Sequence, residues 1–179
     1  MNHTIKRGKI KQIDIEFDYL WNKIQVDNNL VSGRNYRNHT ATWYGPVDYG
    51  YTGVRHKAQD MPNEFIHLAR RLEHKFKYPK GYFNSALLNA YDFKGIAQHS
   101  DDEPIFIKPD GTTGAVATVS FGKPTNIFIV RKSTGKSFNF KQEDKDIYIM
   151  PEGNFQHVYT HGTSKPMGKR ISITFRQTN

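Results

Sequence analysis

Gln98-His99-Ser100-Asp101-Asp102-Glu103 is the stretch on which the interpretation of this sequence depends. If the segment is extended, successive side chains alternate between two faces, so His99 and Asp101 lie on the same face. An imidazole nitrogen and a carboxylate oxygen would then approach a metal ion from one side. A second histidine from a distant strand would complete a two-histidine, one-carboxylate set. The short motif alone fits a surface loop better, so the flanking sequence has to decide between the two interpretations.

Composition and charge limit the classes of protein and partner. The chain has 179 residues, which suits one domain spanning 1–179, and it has no cysteine, which excludes disulfides, zinc–thiolate sites and iron–sulfur clusters. Its net charge of +9 favours a polyanionic partner, nucleic acid before membrane, over a merely basic surface. The sequence shows neither a signal-peptide pattern nor an apolar run of membrane-spanning length, so we expect a cytoplasmic protein without a membrane partner. No obligate protein partner is evident, and we expect a monomer.

Residues 1–12 are predicted to form an arm or an edge strand, and the rest of the first 81 residues to form helices and a hairpin. Apolar residues with helical spacing predict a short amphipathic helix around Phe17, Leu20, Trp21 and Ile24. The segment 43–53 interleaves aromatic residues with turn formers and predicts a hairpin, whose rings either stack on bases or belong to the core. A second amphipathic helix is predicted after Pro62. The expected division is 1–60 (helix and nucleotide-recognition hairpin), 61–81 (supporting helix) and 82–179 (jelly-roll core).

From residue 82 onward, short strands alternate with turns, a pattern typical of a sandwich or barrel of the jelly-roll kind. In the last strand Arg170 and Arg176 share one face about 20 Å apart, so they could reach a short dicarboxylate from opposite ends. Asn89 and Tyr91, on one face of an earlier strand, could add neutral hydrogen bonds. The alternative is that the face of the strand that carries the two arginines is exposed to solvent. The opposite face is fully apolar and must also be covered, however, and this favours a strand whose arginine face points into the protein.

Taken in this order, the motifs resemble those of the AlkB family of Fe(II)/2-oxoglutarate-dependent dioxygenases. The resemblance covers about residues 42–177 and rests on Asn89-x-Tyr91, His99-Ser100-Asp101-Asp102-Glu103, Ala117-x-Val119-Ser120-Phe121-Gly122, a distal histidine and Arg170-Ile171-Ser172-Ile173-Thr174-Phe175-Arg176. It implies an α+β, mainly β fold, in which N-terminal helices pack outside a double-stranded β-helix (jelly roll). The closing pattern is also similar to AlkB domains of plant RNA virus replicases, which suggests a viral or phage origin and, in that case, a location in the host cell.

The resemblance also implies roles for individual residues. The implied ligands of Fe(II) are His99, Asp101 and a distal histidine, with O2 at the remaining position. Arg170, helped by Asn89 and Tyr91, would bind the far carboxylate of 2-oxoglutarate. Arg176 would serve the near end and orient Asp101. Oxidative decarboxylation of 2-oxoglutarate would yield succinate and CO2, and an N-methyl group of the substrate would leave as formaldehyde.

The substrate implied by the resemblance is 1-methyladenine or 3-methylcytosine in single-stranded DNA or RNA, as part of nucleic-acid alkylation repair. The base would stack between His99 and an aromatic residue of the hairpin, with Tyr51 preferred to Tyr49. Asp102 and Glu103 could accept hydrogen bonds from its exocyclic amine, or both could be solvated or support the metal ligands. The sequence offers no recognisable duplex-invading finger, which favours single strands. The alternatives are a dioxygenase acting on an unmodified base or a protein side chain, and a nucleic-acid-binding jelly roll without catalysis.

The third metal ligand is either His157 or His161. Both face the same side of a regular strand and would lie about 13 Å apart, so at most one can bind the ion. Members of the family that the chain resembles have a glutamine five residues and an aromatic residue two residues before this ligand. Gln156 and Tyr159 stand at those positions only for His161. We therefore predict His161 as the ligand and a structural or nucleic-acid-facing role for His157.

Overall fold

Short antiparallel strands and two principal helices make up the fold. The computed structural model describes residues 4–34, 39–51 and 53–179. Within these ranges the helices are α1 (Phe17–Val26), α2 (Asn63–Phe76) and the one-turn α3 (Phe155–Val158), with a 3-10 turn at Pro104–Phe106. The strands are β1 (Lys6–Lys9), β2 (Leu30–Ser32), β3 (His39–Tyr44), β4 (Tyr49–Tyr51), β5 (Val54–His56), β6 (Ser85–Asp92), β7 (Ile96–His99), β8 (Val116–Gly122), β9 (Thr125–Arg131), β10 (Ser137–Gln142), β11 (Asp146–Met150), β12 (Tyr159–Thr163) and β13 (Lys169–Arg176). Residues 1–3 and 35–38 and Thr52, which fall in the predicted segment 1–60, lie outside the described residues.

Six antiparallel strands form the larger sheet, in the order β1-β11-β8-β13-β6-β3. The interior strand β13 has the bounds predicted for the last strand and pairs with β8 on one side and β6 on the other. Its alternating sequence separates two environments. Ile171, Ile173 and Phe175 are fully buried among the helix side chains, and alternation turns Arg170 and Arg176 to the opposite, inner face. The period-two pattern therefore places both arginines inside the molecule.

Helix α2 covers the outer face of the larger sheet. Its apolar stripe is buried there and includes Phe65, Leu68 and Leu72, each of which contributes about 1.5–3 kcal/mol by leaving water. Glu73 is also buried, and its carboxylate accepts hydrogen bonds from the backbone N–H groups of Gly81 at 3.0 Å and Phe83 at 2.9 Å. These bonds fix the path from the helix into β6. Among the described residues, no helix is both long enough and apolar enough to cross a lipid bilayer.

The smaller sheet has four antiparallel strands in the order β10-β9-β12-β7 and faces the inner side of the larger one. A second apolar cluster lies between the two sheets and joins Ile127 and Ile129 of β9 to Tyr148 and Met150 of β11. This cluster fills one end of the space between the sheets. The other end contains the polar inner face of β13, and the candidate site lies there.

The secondary structure differs in three respects from the predicted division of the chain. Strand β1 is the edge strand that was one of the two structures predicted for residues 1–12, and β3 forms the other edge of the larger sheet, so the sheets are not confined to 82–179. The segment 43–53 is likewise divided. Trp43 and Tyr44 belong to β3, whereas β4 pairs with β5 in a separate three-stranded sheet with β2. Residues beyond 82 also include the 3-10 turn and α3, where only strands were predicted.

Candidate metal centre

The strand pairing of the smaller sheet brings two histidines together. His99 ends β7, His161 lies in the middle of β12, and the two residues are directly opposite in this antiparallel pair. Opposite residues project to the same side of a sheet, and the centroids of the two imidazole rings are 4.3 Å apart. Asp101 lies two residues after His99, the last residue of β7. Its side chain is 1% exposed and lies on the same side of the sheet as the two imidazoles.

The donor atoms of His99, Asp101 and His161 lie within 4.8 Å of one another, and this cluster could hold a metal ion. The Nε2 atom of His99 is 3.6 Å from Oδ1 of Asp101, and Nε2 of His161 is 3.8 Å from Oδ2. Both separations are too long for hydrogen bonds. They match the spacing of about 3 to 4 Å expected for atoms that share one ion at about 2.1 Å. The set of two nitrogens and one carboxylate is the one that non-haem Fe(II) oxygenases use.

Electrostatics keep the donors in the protonation states that a metal ion requires. Burial lowers the pKa of His161 to about 3, so its imidazole is neutral at pH 7. Burial alone would raise the pKa of Asp101. The Arg176 guanidinium and the two imidazoles outweigh that effect and lower the pKa to about 2, so the carboxylate is ionised. A neutral imidazole and a carboxylate are ready to bind a divalent cation without first losing protons.

Three hydrogen bonds, with two partner residues, hold Asp101. The guanidinium of Arg176 donates from Nε to Oδ2 at 3.2 Å and from Nη2 to Oδ1 at 3.0 Å, in the bidentate geometry that arginine forms with carboxylates. The backbone N–H of Asp101 donates to Oε1 of the fully buried Gln156 at 3.0 Å. The structure thus shows the contact through which Arg176 was predicted to orient Asp101.

A second buried guanidinium, that of Arg170, lies near the start of β13. Arg170 is 1% exposed, and its Nε donates to the Ser120 hydroxyl at 3.0 Å and its Nη2 to Oε1 of Gln142 at 2.8 Å. Within the described residues it forms no salt bridge, and its Nη1 has no hydrogen-bond partner. Because an unpaired buried cation is costly, this arrangement fits an anionic ligand whose carboxylate would meet Nη1. Arg170 therefore fits the requirement for binding a dicarboxylate.

The predicted neutral partners lie beside this guanidinium. In the register of β13 and β6, Tyr91 is opposite Arg170, and Asn89 is opposite Ser172. The ring of Tyr91 is 4.9 Å from the Arg170 guanidinium, and its hydroxyl is 3.1 Å from that of Ser172. Asn89 and Tyr91 are both buried, so the structure brings them to the inner face near Arg170.

The four residues predicted to contact the substrate differ in how deeply they are buried. The ring of Tyr49 is 2% exposed and packs 5.2 Å from that of Tyr51, which is half-buried. The Tyr49 hydroxyl donates to Oε1 of Glu103 at 3.0 Å, and the other carboxylate oxygen of Glu103 is buried without a hydrogen-bond partner among the described residues. Asp102 is exposed, and its Oδ2 lies 3.9 Å from Nζ of Lys132. The two acids therefore point apart and do not form the adjacent pair that the sequence suggested.

His157 is separate from the donor cluster. It lies on α3, is exposed, and its Nε2 is 2.9 Å from the carbonyl oxygen of Gly111. Because residues 155–158 form a helical turn, His157 and His161 are not on one regular strand, and the alternation argument that left them equivalent does not apply. Gln142 could not be predicted as a site residue, because its contact with Arg170 spans 28 positions and leaves no local signal in the sequence.

Comparison with known proteins places this geometry in a family. The family model for the 2OG-Fe(II) oxygenase superfamily matches residues 6–176. The chain belongs to this superfamily. It is accordingly a dioxygenase that uses Fe(II), 2-oxoglutarate and O2, and the predictions of the enzyme class and cofactors are confirmed.

The relatives of this oxygenase include viral replication proteins. The chain is 31% identical over 131 residues to the RNA replication polyprotein of Apple stem pitting virus (isolate PA66), a match that covers 73% of this chain and 6% of the polyprotein. It is 30% identical over 140 residues to the RNA replication protein of Papaya mosaic potexvirus, with 76% and 8% covered. The chain thus corresponds to less than a tenth of the length of these relatives.

The fold of the oxygenase is that of AlkB proteins. The solved structure of OsALKBH1 superposes with a TM-score of 0.66 and covers 99% of both chains at 15% sequence identity. At this identity the similarity concerns the fold. The prediction of an α+β, mainly β fold, with N-terminal helices outside a jelly-roll core, is confirmed.

Proposed function

We propose that this oxygenase is an oxidative demethylase that removes the N-methyl group of 1-methyladenine or 3-methylcytosine from single-stranded RNA or DNA. With Fe(II) bound, the cosubstrates supply the oxidation: 2-oxoglutarate is decarboxylated to succinate and CO2, and the oxidised methyl group leaves as formaldehyde. His99, Asp101 and His161 hold the metal. Arg170, with Asn89 and Tyr91, holds the far carboxylate of 2-oxoglutarate, and Arg176 fixes Asp101.

The observation that carries the choice of substrate is the unpaired oxygen of Glu103. Glu103 is within two residues of Asp101, its Oε1 is bound by Tyr49, and its Oε2 is buried without a partner among the described residues. A buried acceptor without a donor is costly, so the site fits a ligand that brings an N–H group. The exocyclic amines of cytosine and adenine are such donors, and carboxylates accept from the cytosine amine in known complexes. Methylation at these ring positions also makes the base cationic, which suits a carboxylate.

The aromatic residues support the same substrate. Tyr51 is half-buried, whereas Tyr49 is held among Trp43 at 4.6 Å, Phe106 at 5.4 Å and Tyr51 at 5.2 Å between ring centroids. Tyr51 therefore stacks on the extruded base opposite His99, and Tyr49 supports Tyr51 and Glu103 from behind. Stacking of one base on an aromatic ring contributes about 1–3 kcal/mol.

Charge and relatives favour RNA as the first polymer to test. The net charge of +9 suits a phosphate backbone, and two of the relatives are RNA replication proteins of plant viruses. If this chain acts in the same setting, it works in the cytoplasm of the host cell on single-stranded viral RNA.

Separate replacement of Glu103 and Asp102 by their amides tests this proposal. Glu103→Gln should lower kcat/KM for 3-methylcytosine in a single-stranded oligonucleotide by about 10- to 100-fold, because a hydrogen bond to a charged acceptor is worth about 1.5–3 kcal/mol. Asp102→Asn, the matched control at an exposed position, should stay within about twofold of the parent. If both variants demethylate like the parent, Glu103 does not recognise the base. If no methylated oligonucleotide stimulates succinate formation by the parent, nucleic acid is the wrong substrate.

A further inference from the structure

A cluster of cations lies outside the metal centre, at the edge strand β1. An open cleft of about 550 Å³ separates the end of β1 from α2, and its charged or titratable lining residues are Lys9, Lys11, Arg70, Arg71, His74 and Lys75. Among the residues that the structure describes, no acid lines the cleft. The first twelve residues of the chain contain no carboxylate, and they add Lys6 and Arg7 to the Lys9 and Lys11 of the cleft.

Three of these cations are not neutralised by neighbours. Arg70 is paired with the buried Glu73, and Lys9 lies 3.7 Å from a carboxylate oxygen of Asp146. Lys11, Arg71 and Lys75 are exposed, and within the described part of the chain no salt bridge joins them to an acid. Surface cations that lack acidic partners create a local positive potential that attracts a polyanion.

The positive surface continues around the sheet edge. A second open cleft, of about 390 Å³, lies on the other side of β1 and shares Lys9; Arg7, Lys141 and Asp146 also line it. Lys141 lies 2.8 Å from a carboxylate oxygen of Glu143, whereas within the described part of the chain no salt bridge joins Arg7 to an acid. The Arg7 guanidinium lies 4.7 Å from the ring centroid of Phe140 and donates to the Lys141 carbonyl at 3.2 Å, so its position is fixed. Between the two clefts stands Gly8. A Cβ atom there would lie 3.1 Å from both Lys75 and Phe76, so the glycine allows α2 to approach the strand closely.

The position of this surface relative to the metal centre limits what it can bind. Strand β1 is three strand spacings from β13, which carries Arg176, and this corresponds to about 14 Å across the sheet. Helix α2 lies on the outer face, whereas Arg176 and Asp101 lie on the inner face. A ligand in the metal centre therefore cannot touch these cations unless it is a polymer that extends beyond the site and around the sheet edge.

We propose that Lys9, Lys11, Arg71 and Lys75, together with Arg7 and Lys141, form a basic edge that binds the phosphate backbone of the substrate strand several nucleotides away from the base being oxidised. This inference rests on the proposed nucleic-acid substrate and extends it. The basic edge contacts phosphates without reading sequence, raises the affinity for long strands and leaves the chemistry at the metal centre unchanged. Short substrates do not reach it.

The test compares two triple variants of the full chain. The edge variant carries Lys11→Gln, Arg71→Gln and Lys75→Gln. The control variant loses the same charge at exposed lysines that line neither cleft, through Lys123→Gln, Lys136→Gln and Lys165→Gln. Each protein is titrated with a single-stranded RNA of about twenty nucleotides containing one 3-methylcytosine, and with one of about five nucleotides, over a range of salt concentrations.

The edge variant should bind the long RNA at least tenfold more weakly than the parent, and its slope of log K against log salt should be less steep by about 2, since each single-strand phosphate contact contributes about 0.7. Its kcat and KM on the short RNA should equal those of the parent. The control variant should change the long-strand affinity by about twofold or less. Equal losses in the two variants would overturn the basic edge, and so would an equal loss on the short and long RNA.

The outcome also separates this proposal from the proposed function. If the parent demethylates both RNAs and the edge variant binds like the control, the function stands and the basic edge is refuted. If the parent demethylates neither RNA but binds the long one through the three cations, the basic edge stands and the proposed demethylation is refuted.

Discussion

Removal of the Arg170 side chain tests how the enzyme binds 2-oxoglutarate. Arg170 is 1% exposed, and two of its nitrogens are already held by Ser120 and Gln142. Only Nη1 is left for the cosubstrate among the described residues. Truncation of one partner of a buried charge pair costs about 2–5 kcal/mol. Since a single nitrogen is available and the guanidinium is already positioned, we expect the lower part of this range, about 2–3 kcal/mol.

The expected change follows from that energy. Arg170→Ala should raise the Kd for 2-oxoglutarate by about 30- to 150-fold, because each 1.4 kcal/mol corresponds to a factor of about ten. Arg170→Lys keeps the charge but loses the fork that holds Ser120 and Gln142, so its Kd should be intermediate. Lys169→Ala, one position away with an exposed side chain, is the matched control and should bind 2-oxoglutarate like the parent.

Binding is measured by calorimetry with Mn(II) in place of Fe(II) under anaerobic conditions, so that turnover does not interfere. Circular dichroism and thermal unfolding establish that each variant is folded. If folded Arg170→Ala binds 2-oxoglutarate with the affinity of the parent, the dicarboxylate does not meet Arg170. If Lys169→Ala loses as much affinity as Arg170→Ala, the effect is one of general charge and the assignment also fails.

Three further predictions concern other histidines and arginines. Arg176→Met should lower iron affinity by about 10- to 100-fold, because both oxygens of Asp101 lose their buried donors; a parent-like iron content at limiting Fe(II) would contradict this. His161→Ala should abolish iron binding and 2-oxoglutarate decarboxylation, whereas His157→Ala should retain both, and the reverse result would show that the ligand assignment is wrong. Burial lowers the pKa of His56 to about 4 from its ordinary 6.5, so the unfolded chain binds a proton that the folded chain excludes. The free energy of unfolding should therefore fall as the pH drops from about 6.5 towards 4, and denaturant titrations should show a smaller fall in His56→Phe.

The strands of the core could be predicted because their sequences alternate regularly. In β13 every second residue is Ile or Phe, and the residues between are polar, so both the strand and its inward face follow from the period of two. An edge strand was one of the two structures predicted for residues 1–12, but the bounds of β1 could not be predicted, and β3 was not predicted as a strand of the main sheet. Lys6–Lys9 is a short polar segment, and it becomes a strand because the edge of β11 offers unpaired backbone groups. That requirement comes from the tertiary structure and leaves no periodic signal in the sequence.

The sequence indicated which residues belong to the candidate site, but it did not indicate the orientation or the burial of their side chains. The spacing of His99 and Asp101 indicated the metal ligands, but the direction of Glu103 depends on its hydrogen bond to Tyr49, 54 positions away. Tyr51 was preferred to Tyr49 as the stacking residue, but the sequence did not indicate how deeply either ring is buried, since both are aromatic residues of one hairpin. Their different burial comes from packing against the 3-10 turn that contains Phe106, a contact that sequence periodicity cannot reveal.

The most direct measurement of the central claim is the mass of a methylated RNA strand after incubation with the enzyme. A single-stranded oligonucleotide with one 3-methylcytosine is mixed with the protein, Fe(II), 2-oxoglutarate and O2, and the oligonucleotide, succinate and formaldehyde are quantified together. We expect loss of one CH2 unit per strand with equimolar succinate and formaldehyde, and no loss when 2-oxoglutarate is omitted or His161 is replaced by alanine. A strand that keeps its methyl group while succinate accumulates, or that gains a stable oxygen atom, would contradict this expectation.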